Sequence, residues 1–224
     1  MELTIENRIA IVRENMAKAA EGRPVWLVGA AKTKPAELVR RAVAAGLDAV
    51  GENYVQELRD KSAQGAYEGA AVHLIGHLQR NKVKYVAGRV ALIQSVDSGP
   101  LMEAVARQAA ALGTVQDVLL EVNIGGEKAK SGADPAMLEV LFALAGRLSG
   151  IRVRGLMTIP PAENSTRYFP RMNQLYIDNK EKKYDNVYMD FLSMGMSDDY
   201  MEAIKEGANM IRVGSFIFGP RNYY

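Results

Sequence analysis

A lysine at the end of an apolar run is the residue of this sequence with the clearest chemical potential. Residues 25–35 read VWLVGAAKTKP, and the alternate positions 26, 28, 30 and 32 fall on one side of a predicted strand that ends at Lys32. A lysine held partly out of water has a lowered pKa, and its neutral amine can attack a carbonyl carbon. The pattern therefore favours a Schiff-base lysine. The alternative is that Lys32 leaves the strand and extends into solvent, while Pro35 opens the next helix.

Polar residues also follow several other apolar runs. Asn53, His77 and Lys130 follow such runs, Ser193 and Ser197 lie around the end of another, and Arg212 lies within the last one. Near the end of the chain, the segments MGMSDD at 194–199 and RVGSFIFG at 212–219 place glycine and serine side by side, as in loops that approach a phosphate closely. Gly195 and Ser197 belong to the first segment, and Gly214 and Ser215 to the second. Structural explanations stay open, since Ser197 is a good helix N-cap and His77 can be a hydrogen-bonded turn residue.

The elements that must position these residues alternate along the whole chain. Apolar runs predict eight strands, at residues 25–32, 47–52, 72–76, 91–96, 115–124, 151–159, 187–194 and 210–218. Helical spacing predicts helices at 4–20, 35–45, 55–63, 79–88, 101–112, 135–148 and 164–183, and one that starts within 193–199 and runs to 205. No helix is predicted after the eighth strand.

This alternation predicts an α/β fold, a single (β/α)₈ TIM barrel with an extra N-terminal helix, forming one domain over residues 1–224. The alternative is an open doubly wound sheet, but the first strand is not followed by the GxGxxG that such a sheet uses for dinucleotides. We expect the N-terminal helix to cover the gap in the outer ring after the last strand. In a barrel the polar residues above meet at the C-terminal ends of the strands.

The composition excludes several kinds of catalytic and binding site. The chain of 224 residues has no cysteine and two histidines, which excludes thiolate nucleophiles and disulfides and disfavours a metal site. A formal net charge of +2 gives no drive toward nucleic acid or membranes. The charged N-terminus is neither a signal peptide nor a transmembrane helix, and the composition fits a reducing cytoplasm.

Seven ordered sequence blocks carry a resemblance to a known family. They are GAAKTKP at 29–35, GENYVQE at 51–57, HLIGHLQRNK at 73–82, VNIGGEKAKSG at 122–132, GLMTIPP at 155–161, SMGMSDDYMEAI at 193–204 and IRVGSFIFGPRNY at 211–223. The set resembles the pyridoxal 5′-phosphate (PLP) homeostasis protein family, whose fold is similar to the N-terminal barrel domain of alanine racemase. The chain departs from the family pattern at Ala31, where the family usually has Ser, and at Ser215-Phe216, where it usually has Thr-Ala.

The resemblance implies a PLP site. Lys32 would hold PLP as a Schiff base, Ser197, Gly214 and Ser215 would contact its phosphate, and Arg212 would face the pyridine nitrogen. The other pocket residues implied in this way are Asn53, His77, Met157 and Ser193. Lys34 and Lys130 match family lysines near the cofactor and are candidates for a second PLP contact or for transfer.

The resemblance implies a carrier that buffers PLP and so maintains vitamin B6 and amino-acid pools, without efficient catalysis. An arginine beside the ring nitrogen keeps that nitrogen neutral and the ring a weak electron sink. Racemisation needs a second acid/base group, which alanine racemase takes from a further domain, and no such domain is expected before Tyr224. The expected partners are PLP and, transiently, PLP-free apoenzymes; a cytoplasmic monomer is expected.

Three other functions stay open at this point. A PLP-dependent racemase or lyase would need a base supplied by a partner and would turn over an amino acid. A cofactor-free Schiff-base aldolase would act on sugar phosphates and show no visible absorbance. A structural or regulatory binder that merely keeps the fold would be indifferent to Lys32→Ala.

Overall fold

The protein is a closed barrel of eight parallel strands in chain order. The structure is a computed structural model, and it describes residues 3–127 and 129–220. The strands are β1 Trp26–Ala30, β2 Ala49–Glu52, β3 Ala71–Leu74, β4 Leu92–Val96, β5 Gln116–Glu121, β6 Ile151–Met157, β7 Val187–Ser193 and β8 Met210–Val213. Pairing of β8 with β1 closes the barrel, so the predicted α/β TIM barrel is confirmed and the open sheet is wrong.

Eight α-helices surround or cap this barrel in the described residues. They are α1 Ile5–Ala20, α2 Ala36–Ala44, α3 Val55–Ala63, α4 Gly99–Ala111, α5 Leu138–Ala145, α6 Phe169–Lys180, α7 Tyr200–Lys205 and α8 Ser215–Phe218. The predicted single domain over 1–224 and the last resemblance block at 211–223 extend beyond the described residues, and the single-domain assignment stays a prediction. Within residues 3–127 and 129–220, no helix is both long and apolar enough to cross a membrane.

Two apolar layers explain why the strands read as nearly continuous apolar runs. A small cluster fills the barrel, and its buried members are Val28, Ala49, Leu92, Leu119, Met157 and Met210. A larger cluster fills the space between the strands and the helices. Strands buried on both faces need apolar side chains in both directions, which removes the simple alternation of a half-exposed sheet.

Helix α1 occupies the position that the sequence assigned to it. Its buried face consists of Ile5, Ile9, Val12 and Met16, spaced three or four residues apart, together with Ala19 and Ala20. The Thr4 hydroxyl accepts the amide of Asn7 at 3.3 Å and so caps the helix. The helix contacts both α7 and α2, and therefore completes the outer ring as expected.

The end of the barrel differs from the sequence prediction. The strand predicted at 210–218 ends at Val213, and residues 215–218 form the one-turn helix α8, so the expectation of no helix after the last strand is wrong. The Ser197 hydroxyl accepts the amides of Gly214 and Phe216, at 3.3 and 3.4 Å, which turns the backbone out of the sheet. The apolar residues that mimic a strand are Ile217 and Phe218, buried in the core cluster beneath α1.

Three predicted helices are shorter or more tightly wound. Residues 79–88 contain the 3₁₀ helix Arg80–Tyr85 in place of an α-helix. The helix predicted at 135–148 starts as the 3₁₀ turn Pro135–Met137, and the one at 164–183 as the 3₁₀ turn Ser165–Tyr168. Asn164 has a left-handed φ of 56°, which separates that turn from the preceding loop and prevents a longer α-helix.

Candidate functional site

A cavity of about 180 Å³ opens at the C-terminal mouth of the barrel, between the ends of β1 and β8 and the loop after β7. It is lined by Ala30, Lys32, Lys34, Met196, Ser197, Asp198, Arg212, Gly214, Ser215 and Gly219. Six of the residues singled out from the sequence therefore meet in one cavity, although Lys32 and Ser215 are 183 positions apart in the chain. We call this space the mouth cavity.

The predicted inward face of β1 leads directly into the mouth cavity. Trp26 lies at the opposite end of the barrel, where its ring stacks on His73, and Val28 belongs to the interior cluster. Ala30 and Lys32 then line the cavity, which agrees with the predicted alternation. Lys32 is half-buried, and it lies in a tight turn closed by a 3.1 Å hydrogen bond from the Lys34 amide to the Ala31 carbonyl.

The loops after β7 and β8 are joined at one wall of the mouth cavity. The Ser197 hydroxyl accepts two main-chain amides at the start of α8, and Ser215, which is exposed, stands beside it. A side chain at position 214 would meet Ala30 at 3.3 Å, so Gly214 keeps this wall open. Asp199 fixes the other loop by accepting the Met196 amide at 2.6 Å. This wall is therefore built of hydroxyls and main-chain amides, and the amides of Gly214, Phe216 and Met196 are held by Ser197 and Asp199.

Arg212 forms the floor of the mouth cavity and is almost completely buried. Its guanidinium donates to the Ser193 hydroxyl at 2.6 Å and to the Thr158 carbonyl at 2.8 Å. Burial lowers the pKa of Arg212 to about 10, and the charges of Glu121 and Asp199 oppose this shift, so the side chain stays a cation at neutral pH. The floor thus carries a fixed positive charge.

A chain of buried polar side chains continues from Arg212 into the barrel. Ser193 donates to the Gln94 carbonyl oxygen at 2.7 Å, and the Gln94 amide lies 3.0 Å from Nδ1 of His73. The second contact of that amide is the Met210 sulfur at 3.2 Å. Burial lowers the pKa of His73 to about 4, so the ring is neutral near pH 7 and can accept from Gln94. Arg212, Ser193, Gln94 and His73 therefore form one series of hydrogen bonds, in which each of the first three side chains donates to the next.

Glu121 is a further ionisable group near the mouth. It is 6% exposed at the end of β5. Burial raises the pKa of its carboxyl to about 7, the charge of Asp97 adds to the effect, and Arg212 opposes it. The protonation of Glu121 therefore changes near neutral pH.

Lys34 lines the mouth cavity, but its amine is turned toward the end of α8. It donates to the carbonyls of Gly219 and Pro220, at 3.2 and 2.6 Å. Partial burial lowers the pKa of Lys34, and the nearby charge of Arg8 lowers it further. A second PLP contact at Lys34 would therefore require this amine to leave two carbonyl acceptors.

Five predicted site residues do not line the mouth cavity, and one of them, Ser193, is buried and bound to Arg212. Asn53 and His77 line a neighbouring cavity of about 620 Å³, on the side of β2 and β3. Met157 is buried inside the barrel, paired in register with Ser193. The Lys130 amine pairs with Glu127 at 2.6 Å and donates to the Pro160 carbonyl at 3.3 Å, in the loop after β5.

Sequence reasoning missed Gln94 and Glu121, although a signal for both was present. Each is a polar residue inside a predicted strand, and a polar residue in a strand buried on both faces needs a partner or a function. The Thr158 carbonyl leaves no trace in the sequence, because any residue offers the same main-chain oxygen. In the described parts of the chain, 3–127 and 129–220, no three His, Asp or Glu side chains are grouped to hold a metal ion.

Comparison with known proteins identifies the family of this chain. The family model for the alanine racemase N-terminal domain matches residues 4–222. A pyridoxal phosphate homeostasis protein of Aquifex aeolicus (strain VF5) is 42% identical, over 96% of this chain and 98% of that protein. One with the same name from Pseudomonas aeruginosa is 40% identical, over 98% of this chain and 97% of that protein. The chain belongs to the pyridoxal phosphate homeostasis protein family.

A solved member of this family superimposes on the whole barrel. The structure of PipY from Synechococcus elongatus PCC7942, described with PLP bound, is 33% identical and gives a TM-score of 0.85. The match covers 96% of this chain and 100% of that one. The relatives thus span the same barrel as this chain.

Proposed function

We propose that this protein binds PLP at the mouth cavity through Lys32 and holds it for release to PLP-requiring apoenzymes. The observation that carries the proposal is the meeting of an amine, a buried guanidinium and a wall of hydroxyls and amides in one cavity. PLP has an aldehyde, a ring nitrogen and a phosphate, and the three kinds of group match these three features. The names of the relatives and the PLP in the PipY structure support the same ligand.

The donor set suits each part of the cofactor. When bound, PLP supplies an aldehyde that condenses with a lysine amine with loss of water. Lys32 would supply that amine. Ser197 and Ser215 would donate their hydroxyls to the phosphate, and Gly214 would let the main chain approach it. Arg212, held on the floor, would face the ring nitrogen as a donor that cannot itself accept a proton.

Arg212 is also the reason to propose a carrier in place of an efficient enzyme. A carboxylate beside the ring nitrogen would keep it protonated and make the ring a strong electron sink. A guanidinium that stays charged at neutral pH disfavours that proton. The protein therefore stabilises bound PLP without activating it strongly for bond cleavage.

The remaining predicted residues take supporting places in this proposal. Ser193 would orient Arg212, and Met157 would pack beneath the pyridine ring of PLP. Asn53 and His77, from the adjoining cavity, would border the side from which a ligand enters. Lys34 and Lys130 would act as transient contacts during transfer. The cytoplasmic location, the monomeric state and the apoenzyme partners stay predictions from the sequence.

An absorbance spectrum tests the cofactor and its lysine together. We expect the purified protein to gain a visible band on addition of PLP, and borohydride reduction followed by peptide mass spectrometry to place the adduct on Lys32. The Lys32→Ala variant should show neither signal, while Lys18→Ala, at an exposed lysine of α1, should behave as the unmodified protein. A band that persists in Lys32→Ala would contradict the assignment.

Two further assays separate a carrier from an enzyme. A carrier loaded with PLP should restore the activity of a PLP-free acceptor enzyme faster than free PLP does. The free PLP is supplied at the concentration that the loaded carrier releases at equilibrium. An enzyme should convert an L- or D-amino acid at a rate that disappears in Lys32→Ala. Turnover comparable to that of dedicated PLP enzymes would overturn the carrier proposal.

A further inference from the structure

A buried ion cluster holds the chain on both sides of Lys32. The Lys61 amine donates to the carbonyl of Ala31 at 2.7 Å, and the Glu57 carboxylate accepts the amide of Thr33 at 2.7 Å. Lys61 and Glu57 are themselves paired at 2.9 Å. The residue before Lys32 and the residue after it are therefore fixed by two partners that are bound to each other.

The same cluster is anchored in the barrel wall. Lys61, which is 5% exposed, pairs with Glu52 at 2.8 Å, and Tyr67 donates to the same carboxylate oxygen at 3.1 Å. Glu52 is fully buried at the end of β2, and its second oxygen has no hydrogen-bond partner. A buried lysine is costly unless it is paired, so the three bonds of Lys61 keep it in one position. The turn that carries Lys32 is thereby tied to β2 and α3.

The turn needs such support because its conformation is unusual. Thr33 has a φ of 61°, a left-handed conformation that β-branched residues rarely adopt. In a turn closed between Ala31 and Lys34, this position normally takes Gly or Asn. Strained backbone of this kind persists only where the surroundings fix it, and here the surroundings are the Glu57 carboxylate and the Lys61 amine.

An ordinary explanation for Glu57 and Lys61 is that a pair at positions i and i+4 stabilises helix α3. The pair Glu14 and Lys18 on α1 has that spacing and a similar 2.7 Å distance, but both side chains are more than 60% exposed. The α3 pair differs because Lys61 is buried and because each partner also binds main chain beside Lys32. The α1 pair is thus a matched control.

We propose that Lys61, with Glu57, is a positioning residue that holds the Lys32 amine in the orientation in which it meets an aldehyde in the mouth cavity. The inference rests on the proposed PLP binding. Lys61 does not contact the cavity that contains Lys32; it acts through the carbonyl of Ala31. Its effect is to replace a mobile turn by a fixed one, which reduces the motion that must be lost when Lys32 reacts.

The test compares Lys61→Met and Glu57→Ala with the controls Lys18→Met and Glu14→Ala. We expect PLP to attach about 10- to 100-fold more slowly in Lys61→Met and roughly 10-fold more slowly in Glu57→Ala, because misplaced reacting groups cost rates of this order. At equal loading, both variants should show weaker induced circular dichroism in the visible band, since the attached ring is held less rigidly. Both controls should match the unmodified protein.

Folding is checked first, because removal of Lys61 leaves Glu52 without its cation. If Lys61→Met does not fold, Glu57→Ala decides the question, since its side chain is 27% exposed and Lys61 keeps its bond to Glu52. A folded variant that attaches PLP at the unmodified rate, with full induced circular dichroism, would overturn the inference.

Hydrogen exchange on the PLP-free protein separates this inference from the proposed function. The Thr33 amide should exchange at least about 10-fold faster in Glu57→Ala, because its acceptor is lost, while amides in distant strands should not change. Unchanged exchange at Thr33 would overturn the inference whatever the protein does with PLP. A wild-type protein that takes up no PLP would instead overturn the proposed function, and the exchange result would stand by itself.

Discussion

The Arg212 guanidinium donates a 2.6 Å hydrogen bond to the hydroxyl of Ser193, at the floor of the mouth cavity. That bond sets the direction of the hydrogen bonds that follow it, because the Ser193 hydroxyl accepts from Arg212 and donates its own hydrogen to Gln94. Gln94 then accepts with its oxygen and donates with its nitrogen to His73. The orientation of the cation on the floor is thus coupled to the protonation of a histidine inside the barrel.

The first prediction concerns Gln94, which links Ser193 to His73 in this series of hydrogen bonds. Replacement by Leu removes the acceptor of Ser193 and the donor to His73, and leaves both buried polar groups with a missing partner. We expect the free energy of unfolding to fall by about 2 to 4 kcal/mol, since each unsatisfied buried group costs about 1 to 3 kcal/mol. Denaturant titration measures this loss.

The same variant tests the link to the cofactor site. Gln94→Leu should weaken PLP binding about 10-fold, because Ser193 no longer holds Arg212 in one orientation. Gln174→Leu is the control, since that amide lies on the surface of α6 and contacts only Asp178. Equal PLP affinity in Gln94→Leu and Gln174→Leu would show that the buried chain does not position Arg212.

His73 should make the protein sensitive to acid. Burial lowers its pKa in the folded state from 6.5 to about 4, so between these values the unfolded chain binds the proton and the folded chain does not. Stability is therefore lost as the pH falls through this window, by up to about 1.4 kcal/mol per pH unit for one proton. In His73→Gln, which keeps a neutral acceptor, the free energy of unfolding should fall less steeply.

The control for this prediction is His77→Gln, because His77 is an exposed histidine at the mouth. If His73→Gln and the unmodified protein lose stability in parallel as the pH falls, the ring does not titrate as its burial requires.

Glu121 should make the free energy of unfolding fall as the pH rises, whereas His73 makes it fall as the pH is lowered. Its pKa is raised from 4.5 to about 7, so between these values the folded protein keeps a proton that the unfolded chain loses. This stability is complete below pH 4.5 and is lost as the pH rises through about 7, and the loss amounts to roughly 3 kcal/mol for one group. Glu121→Gln cannot ionise and should be more stable than the unmodified protein above this range.

Unfolding titrations on both sides of the window measure the Glu121 effect. Glu103→Gln, at an exposed position of α4, is the control for the replacement of a carboxylate by an amide. A Glu121→Gln variant that shows the same dependence on pH as the unmodified protein would contradict the burial of an ionisable carboxyl at the mouth.

The barrel could be predicted from the sequence because most strand residues are buried. The runs 91–96 and 151–157 are interrupted only by Gln94, Ser95, Arg152 and Arg154, and the helical spacing between the runs leaves few other folds. The eighth strand was predicted too long because Ile217 and Phe218 are apolar for a different reason, namely packing of α8 beneath α1. Local hydropathy alone does not distinguish these two forms of burial.

The candidate site could be predicted only in part. Lys32 and Arg212 stand out because charges in or at the end of apolar runs are rare, and the paired Gly and Ser residues indicated the phosphate side. The family resemblance added Met157 and the pairing of Arg212 with the ring nitrogen. Lys61 reads as an ordinary helix-surface lysine in the sequence, since an i,i+4 pair with Glu57 is its expected setting. Its burial against the Ala31 carbonyl depends on the packing of α3 against the turn after β1, which no local pattern encodes.

Lys130 gives the last prediction, which concerns transfer of PLP. Its amine lies in the loop after β5, paired with Glu127 at 2.6 Å, and it does not line the mouth cavity. Lys130→Ala should therefore leave PLP bound at Lys32 but slow the activation of a PLP-free acceptor enzyme, measured by the recovery of acceptor activity with time. Lys18→Ala is the control, because that lysine is exposed on α1, away from the mouth. Transfer at the same rate in Lys130→Ala and Lys18→Ala would remove Lys130 from the transfer route and leave Lys34, which lines the cavity itself, as the candidate.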